Sequence, residues 1–594
     1  MKRWEVQEVK IEEMIAKNRA DCSGCEACAN ICPKHCIEMK PDKEGFYYPN
    51  INNNECVKCG QCDATCPVLN YKEPFISKLP TALAAINKDW NIRRNSSSGG
   101  AFTALAEIIL NRGGIVFGAA FNEDWQVVHV AANSIEELAK IRGSKYVQSR
   151  IGSIYRQVKA ELETERQVLF SGTPCQVAGL KSFLKKDYDN LFLIDIACHG
   201  VTPPVLWQYY VNYRGLGHAI SHIEFRGKNY GWENPLVKFI FKDRGKYETT
   251  LNKDLFTQAF QLYLNLRPAC SSCHFKGLAR FSDITLADFW NVNNILPEMY
   301  DNKGTSLILV HNEKGINLLN ETGLSMEQAN FKKTVEANPC IIVSCPADPR
   351  RAEFFNDLAR FNPISVMDKY YSYNFGKQGQ QVFELINRNC LLKWLEIERK
   401  YDLLPKESVL IVGLKKFDDT NRFIEQNIKN NLQMDKGVYI LNQVNGEEKF
   451  TVLDLRYQGL AYNVDKNDKA LVNFIQNVKI TSIFIHNLAG FDLQFIVNVI
   501  LRTKLPFKFF INDYFCVCPN SKLDCSAKYC SENMINPMCR HHFNEANLPK
   551  VSIKKWRSTF NQFLSQAEDI YVSSLNVANV MKKFYPHLKV KIEN

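Results

Sequence analysis

No stretch of this 594-residue chain is apolar for long enough to cross a membrane. The most apolar region, from Ile480 to Ile511, is broken by His486, Asn487, Asp492, Gln494, Asn498, Arg502 and Lys504. A crossing helix needs ~18 uninterrupted apolar residues. The opening residues, MKRWEVQEVKIEEMIAKNRA, alternate in charge and have no apolar centre, so no export signal is expected there. Without export, a disulfide framework is not expected, and the expected location is the cytoplasm. Runs of like charge are also missing. Lys plus Arg total 74 and Asp plus Glu 63, a diffuse net charge of +11. That permits an acidic partner but gives no arm for nucleic acid, and none is expected as a partner. With 45% apolar and 23% charged residues, the composition excludes disordered and collagen-like chains. The length argues for several domains.

What the chain has in quantity is cysteine, 21 residues of it. Cys22, Cys25, Cys28 and Cys32-Pro33 form one run, and Cys56, Cys59, Cys62 and Cys66-Pro67 a second. Both follow C-x2-C-x2-C-x3-C-P. In this bacterial ferredoxin pattern three close thiolates grip one cubane and the fourth reaches across to the other. The cross-over rule assigns Cys22, Cys25, Cys28 and Cys66 to one [4Fe-4S] cluster. It assigns Cys56, Cys59, Cys62 and Cys32 to the other. Zinc also uses C-x2-C, but it needs one set of four ligands, not two interleaved sets with matching prolines. Cys36 falls outside both patterns and reads as a small buried residue.

From about Pro80 helices and strands alternate. Asn95-Ser96-Ser97-Ser98-Gly99-Gly100 precedes a helical AFTALAEIILN, and a helix N-terminus of small residues is either a phosphate seat or a plain cap. Strand-like IVFGAAF and QVVHVAA and helical SIEELAKI lead to the loop RGSKYVQS. QVLFSG runs into Thr173-Pro174-Cys175-Gln176, and LFLIDIA into Cys198-His199-Gly200. Both cysteines lie just past a strand's carboxyl end, where open α/β sheets place ligands. With Cys270 and Cys273 they make four thiols. A third cubane, buried free thiols and a nucleophilic cysteine all remain open at this point. His199 is a candidate proton donor because histidine titrates near neutrality; a structural histidine is the other reading.

The motifs SSSGG, GSKYVQS, SGTPCQ, ACHG and CSSC…SDITLADFW, in this order, resemble the family of coenzyme F420 hydrogenase/dehydrogenase beta subunits. The resemblance covers roughly residues 1–330. It implies an iron–sulfur flavoprotein carrying FAD, with a third cluster on Cys175, Cys198, Cys270 and Cys273. It also implies cofactor contacts from Ser98, Gly99, Gly100, Lys145, Tyr146, Gly172, Thr173 and Gln176. A redox partner protein or subunit and a small organic substrate follow from it. One departure is Ala-Asp-Phe-Trp-Asn at 287–291, where relatives commonly have Gly-Asp-Phe-Trp-Gly.

The expected fold is multidomain α/β. A dicluster ferredoxin (1–76, α+β) precedes a central α/β flavin and iron–sulfur domain (77–330). A mostly helical connector (331–405) leads to a Rossmann-like parallel α/β domain (406–594). The last region resembles the N-terminal domain of retaining, family-four GT-B glycosyltransferases. Such enzymes bind the donor in a following domain, so an acceptor-binding or docking role, with a polysaccharide-pathway partner, is the expectation. Cys518, Cys525, Cys530 and Cys539, with His541 or His542, could hold zinc or be plain thiols. The leading function is an oxidoreductase linking clusters, through FAD, to a two-electron substrate. The alternatives are a transferase-like protein with a redox half and a non-catalytic electron-carrier subunit.

Overall fold

The structure is a computed structural model. It describes residues 10–13, 19–76, 78–243, 245–371, 405–413, 422–434, 436–443, 449–457, 460–486, 491–511, 515–517 and 553–592, with isolated positions between 386 and 398 and at 488. Two compact units, 1–394 and 395–594, divide the chain.

The first unit begins with the cysteine runs. Short helices, Ala27–Ile31 and Gln61–Thr65, grow from the two runs, each entered through a left-handed residue, Glu26 (φ 61°) and Gly60 (φ 67°). Each helix ends on the fourth cysteine of its run, which is extended because proline follows (Cys32 ψ 116°, Cys66 ψ 116°). An antiparallel pair, β1 (Ile37–Pro41) and β2 (Tyr47–Ile51), completes the fold of this part.

Eight strands form the central sheet. They are β3 (Thr81–Ile86), β4 (Ile115–Phe121), β5 (Val127–Ala132), β6 (Val168–Gly172), β7 (Leu191–Ile196), β11 (Ile284–Asp288), β12 (Ser306–Val310) and β13 (Ser325–Gln328). Their order is β13-β3-β12-β11-β7-β6-β4-β5. β4, β6, β7 and β11 run parallel, and antiparallel strands flank them on both sides. Val168, Leu169, Phe170 and Leu191–Ile194 are buried in unbroken runs, as a sheet covered on both faces requires.

A separate three-stranded sheet, β8 (Ile220–Gly227), β9 (Leu236–Phe241) and β10 (Lys246–Thr250), was not foreseen in the alternation of helices and strands. Its core is aromatic: Trp207, Tyr210, Phe225, Phe239 and Phe256. The helices Arg351–Leu358 and Pro363–Tyr371 join the same core through Phe354, Phe355, Val366 and Met367.

The cysteine-run part is docked on the central sheet by a buried carboxylate. Glu26 accepts from Arg150 Nε (2.8 Å) and from the N–H groups of Ile151 (3.2 Å) and Gly152 (3.1 Å). Arg156 Nε donates to Asn30 O at 2.7 Å.

The second unit holds another eight-stranded sheet: β14 (Ser408–Val412), β15 (Gly437–Gln443), β16 (Lys449–Asp454), β17 (Leu460–Asp465), β18 (Ser482–Ile485), β19 (Phe507–Ile511), β20 (Asp569–Val572) and β21 (Lys591–Ile592). The order is β17-β16-β15-β14-β18-β19-β20-β21. Six strands pair parallel, but β16 pairs antiparallel with both β15 and β17 and so runs against the rest. The expectation of a parallel sheet throughout is corrected at this edge. A short connection between β15 and β16 leaves no room for the crossover that parallel pairing needs. Cys518, Cys525, Cys530, Cys539, His541 and His542 lie outside the described residues. Among the described residues no helix is long and apolar enough to cross a membrane.

Candidate functional site

The first thiol set is assembled by two loops that the short helices anchor. Cys22, Cys25, Cys28 and Cys66 line one small recess, closed by Met39, Pro49 and Val68. Burial and the neighbouring thiols Cys25, Cys22 and Cys66 push the Cys28 thiol well up, which favours its neutral form when nothing positive lies beside it. Gly24 (φ +71°) sits where a Cβ would lie 2.4 Å from Gln148 Nε2 and 2.9 Å from the Arg267 guanidinium. Gly24→Ala is therefore expected to destabilise this loop by about 1–3 kcal/mol. Iron should be lost to a chelator several-fold faster than from the unaltered protein; an unchanged rate would count against the close approach.

In the second set, Cys32, Cys56 and Cys62 gather around Ile37 and Ile51. Cys59 is exposed. Cys36, read from the pattern as a plain buried residue, is indeed buried, but its Sγ lies 3.4 Å from Cys32 Sγ.

The third set comes from three separate elements. Cys175 stands in the first turn of the helix Pro174–Leu184, whose start is fixed by a capping box between Thr173 and Gln176. Cys198 follows β7. Cys270 lies within the 3-10 turn Pro268–Ser272, and Cys273 closes it. Burial raises the Cys175 thiol, and Cys273, Cys198 and Cys270 each raise it further, so all four share one neighbourhood. Burial pushes Cys198 up to about 11 and Cys270 to about 12. The Lys276 ammonium donates to the carbonyls of Cys198 and Cys340, placing a buried positive charge beside the set.

The sets adjoin one another. Cys25 of the first set feels Cys175 of the third. Gly179, one turn beyond Cys175, has Cys25 Sγ 3.1 Å from where its Cβ would be. Among the described residues no three or more His, Cys, Asp or Glu side chains form a site for a single metal ion. Four thiols in one neighbourhood are the donor set of a cubane, which gives each thiolate its own iron.

Behind the third set lies a cavity of about 500 Å³. Ser98, Gly100, Lys145, Tyr146, Gly172, Thr173, Gln176, Cys198 and His199 all line it. Gly99 does not: its N–H donates to Ser306 Oγ (2.9 Å) and its carbonyl accepts from Asn87 N (2.8 Å). That glycine is needed because a Cβ would lie 2.3 Å from Ala85 O, against the sheet. The helix Ala101–Asn111 starts at Gly100 (φ 87°) with no side-chain cap, and Gly100, Ala101 and Phe102 line the cavity. Ser97 Oγ, accepting from Ser144 N (2.8 Å), ties this start to the 142–149 loop.

Lys145 lines the wall, yet its three ammonium donors go to the carbonyls of Ile141, Arg142 and Gly143. Burial lowers its pKa to about 7. It closes its own loop. The Tyr146 ring stacks on Phe260 at 4.6 Å.

His199 lies against Tyr263 (Nδ1 to the hydroxyl, 3.3 Å) and the thiols of Cys340 and Cys345. Burial opposes its protonation, but Cys340 and Tyr263 outweigh that and raise its pKa. Burial alone would raise Cys340; His199 and Lys276 bring it down to about 7. Cys340 and Cys345, without ligand spacing in the chain, thus reach the site through a turn after residue 331.

His129 was also not singled out in the sequence. It lines the cavity from β5, and burial lowers its pKa to about 4. Its Nε2 donates to Ser171 O (3.1 Å), so Nδ1 accepts from Ser149 Oγ (3.1 Å). Gln176 Nε2 in turn donates to Ser149 Oγ at 2.9 Å. Opposite, Arg226 pairs with Asp288 (3.1 Å) and lies over Trp290, which stacks on Trp232 at 5.1 Å. Arg226 Nε is buried and has no hydrogen-bond partner among the described residues.

Fold and sites together define an iron–sulfur protein whose cysteine-run domain is docked on a mixed α/β sheet with a ligand-sized cavity. Residues 21–70 match the 4Fe-4S dicluster domain, residues 82–155 the N-terminal part of the coenzyme F420 hydrogenase/dehydrogenase beta subunit, and residues 165–335 its C-terminal part. Residues 82–335 are thus similar to the beta subunits of coenzyme F420 hydrogenase/dehydrogenase. A subunit of the F(420)H(2) dehydrogenase of Methanosarcina mazei is 25% identical over 195 residues, 31% of this chain and 54% of that one. Coenzyme F420-dependent sulfite reductase of Methanocaldococcus jannaschii is 25% identical over 187 residues, 29% of this chain and 26% of that one. The chain thus spans about half, or less, of these relatives' length. A solved structure of the F420-reducing [NiFe] hydrogenase complex from Methanosarcina barkeri overlaps 56% of this chain and 96% of its own, at 16% identity and a TM-score of 0.31, too distant to argue from.

Proposed function

We propose that the chain is an iron–sulfur, FAD-binding electron-transfer protein that acts on a two-electron organic substrate with a redox partner subunit. The observation that carries this reading is Cys198–His199, which belongs at once to the third thiol set and to the cavity wall. Clusters on the three sets would supply single-electron transfer, and a flavin would exchange single electrons for pairs.

The protein's own residues give this arrangement a direction. The second set reaches the surface at Cys59, the first adjoins the third at Cys25 and Cys175, and the third opens on the cavity. The cavity fits a flavin in volume and donors. The free N–H groups at Ala101 suit a phosphate, and the unpartnered Arg226 Nε offers a further buried donor. Gln176, Ser149 and His129 form one hydrogen-bonded wall, and His199 is positioned to hold a proton beside the third set. Relatives named for coenzyme F420 make its reduced form the first electron donor to try. No observation favours a sugar-transfer role for residues 406–594.

Strictly anaerobic purification tests the proposal. About 12 irons per chain, three cubanes of four, with one flavin is the expected result. About 8 irons and no flavin would overturn it in favour of a ferredoxin-type carrier.

A further inference from the structure

We infer that Lys276 is the counter-charge of the third cluster and sets its reduction potential apart from those of the other two. The inference rests on the third cluster proposed for Cys175, Cys198, Cys270 and Cys273. Lys276 comes just after the Cys273 end of that set, in a turn held by Gly277 (φ 127°), whose N–H donates to Ile341 O at 3.0 Å. The side chain is half-buried with its ammonium turned inward. It donates to the carbonyls of Cys198 and Cys340, the latter at 2.6 Å. Both of these residues line the cavity, so the charge lies where the third set meets the cavity wall. Burial works against the charge, but the sulfurs of Cys340, Cys345, Cys198 and Cys273 outweigh it.

What sets this cation apart is the company it keeps. Arg280, close by, is matched by Asp195 (3.4 Å), and Arg226, across the cavity, by Asp288 (3.1 Å). Among the described residues no carboxylate pairs with Lys276; the negative groups around it are sulfurs. A cation drawn out of water needs a negative partner, and a cubane on four thiolates is one. Reduction adds one electron to the cluster, hence one more negative charge, and moves no proton. A fixed cation beside it therefore favours the reduced form. Arg267 serves two clusters, since it faces Cys22 of the first set as well as Cys270 of the third. The ligand sulfurs that Lys276 faces, Cys198 and Cys273, both belong to the third. Its charge thus draws an electron arriving through the first set on to the edge of the cavity.

The test uses the full chain, purified anaerobically, as Lys276→Met and Lys276→Arg, and as Cys340→Ala with and without Lys276→Met. Iron content and redox titration of the three cluster signals by electron paramagnetic resonance are the readouts. At a fixed potential, Lys276→Met is expected to lower the ratio of reduced to oxidised third cluster about ten-fold, a shift of about 59 mV for one electron. The first and second clusters should not move, and Lys276→Arg should restore most of the shift. The same shift is expected in the Cys340→Ala background. If it vanishes there, the ammonium serves that thiol and the inference falls. Full iron with an unmoved third potential overturns it, and so does an equal fall in all three. Should Lys276→Met fail to hold the third cluster, Lys276→Gln keeps a donor for the carbonyls without the charge and is titrated in its place. A third cluster missing from both makes Lys276 an assembly residue and overturns the inference. A third cluster missing from the unaltered protein would instead overturn the reading beneath it.

Discussion

Cys175→Ser is expected to remove about four irons per chain while the two clusters of the cysteine runs stay. The four corners of the third set arrive from three elements that fold without it. The Pro174–Leu184 helix is started by Thr173 and Gln176, Cys198 follows a buried strand, and Cys270 and Cys273 sit on a short turn. Removing one corner therefore leaves the scaffold standing and takes the cluster, because a serine oxygen is a hard ligand at a site built for soft thiolates. Cys175 also faces Cys25, so the loss falls at the junction between the first set and the cavity. Altering outer-shell partners of a metal site already costs about 10–100-fold, and loss of a ligand should slow reduction of the cavity's cofactor by more than that. Rapid-mixing spectroscopy at the flavin band reads the rate. Unchanged iron would remove the third cluster from the proposal. Lost iron with an unchanged rate would show that electrons reach the cavity by another way.

How far the chain could be read depends on how local each feature is. The cysteine runs are legible because one loop wraps three corners of a cluster, and the fourth cysteine is marked by its proline. The strand-to-helix turns at Thr173 and at Cys198 are legible for the same reason: a buried β-run, a turn and an amphipathic helix follow in order. Gly99 was read as part of a phosphate seat, yet it is a glycine because Ala85 O and Ser306 approach from across the sheet. Lys145 lies in the expected loop, but whether its ammonium faces a ligand or its own carbonyls is decided by side-chain dihedrals that no pattern records. His129 alternates correctly for a strand, and only the neighbours Ser149 and Ser171, from two other segments, give it a role. Cys340 and Cys345 reach His199 from well over a hundred residues away. The hairpin sheet β8–β10 was hidden by its aromatic core, since Phe225, Phe239 and Trp207 meet only in the folded unit. Cys36 was read as a small buried residue and is one; its contact with Cys32 depends on the left-handed His35, which no spacing records.

Arg267→Met is expected to lower the reduction potentials of the first and third clusters together and to leave the second unmoved. Arg267 is 1% exposed. Its Nε donates to Cys22 O (2.8 Å), Nη1 to Tyr47 O (3.1 Å) and Gln148 Oε1 (3.0 Å), and Nη2 to Cys22 Sγ (3.7 Å). The Tyr48 ring lies 4.1 Å from the guanidinium carbon. Burial works against its charge, but Cys22, Tyr48 and Cys270 outweigh it, so the positive charge is held between a sulfur of the first set and one of the third. A reduced cluster carries one more negative charge than an oxidised one, and a fixed cation in a low-dielectric site favours the reduced form. Both neighbouring clusters should therefore become harder to reduce when the cation goes. The substitution also leaves several buried acceptors unpaired, at about 1–3 kcal/mol each, so the variant is expected to be less stable. Arg267→Lys separates the two effects. It keeps the charge without the planar fork, so the potentials should shift less than in Arg267→Met while part of the stability is still lost. Titration of the reduced-cluster signals by electron paramagnetic resonance reads all three potentials in one sample. If Arg267→Met assembles with full iron and neither the first nor the third potential moves, the guanidinium is a structural clasp and does not tune the clusters. If they fall as expected, this residue sets how far downhill an electron runs from the exposed edge at Cys59 towards the cavity wall at Cys198.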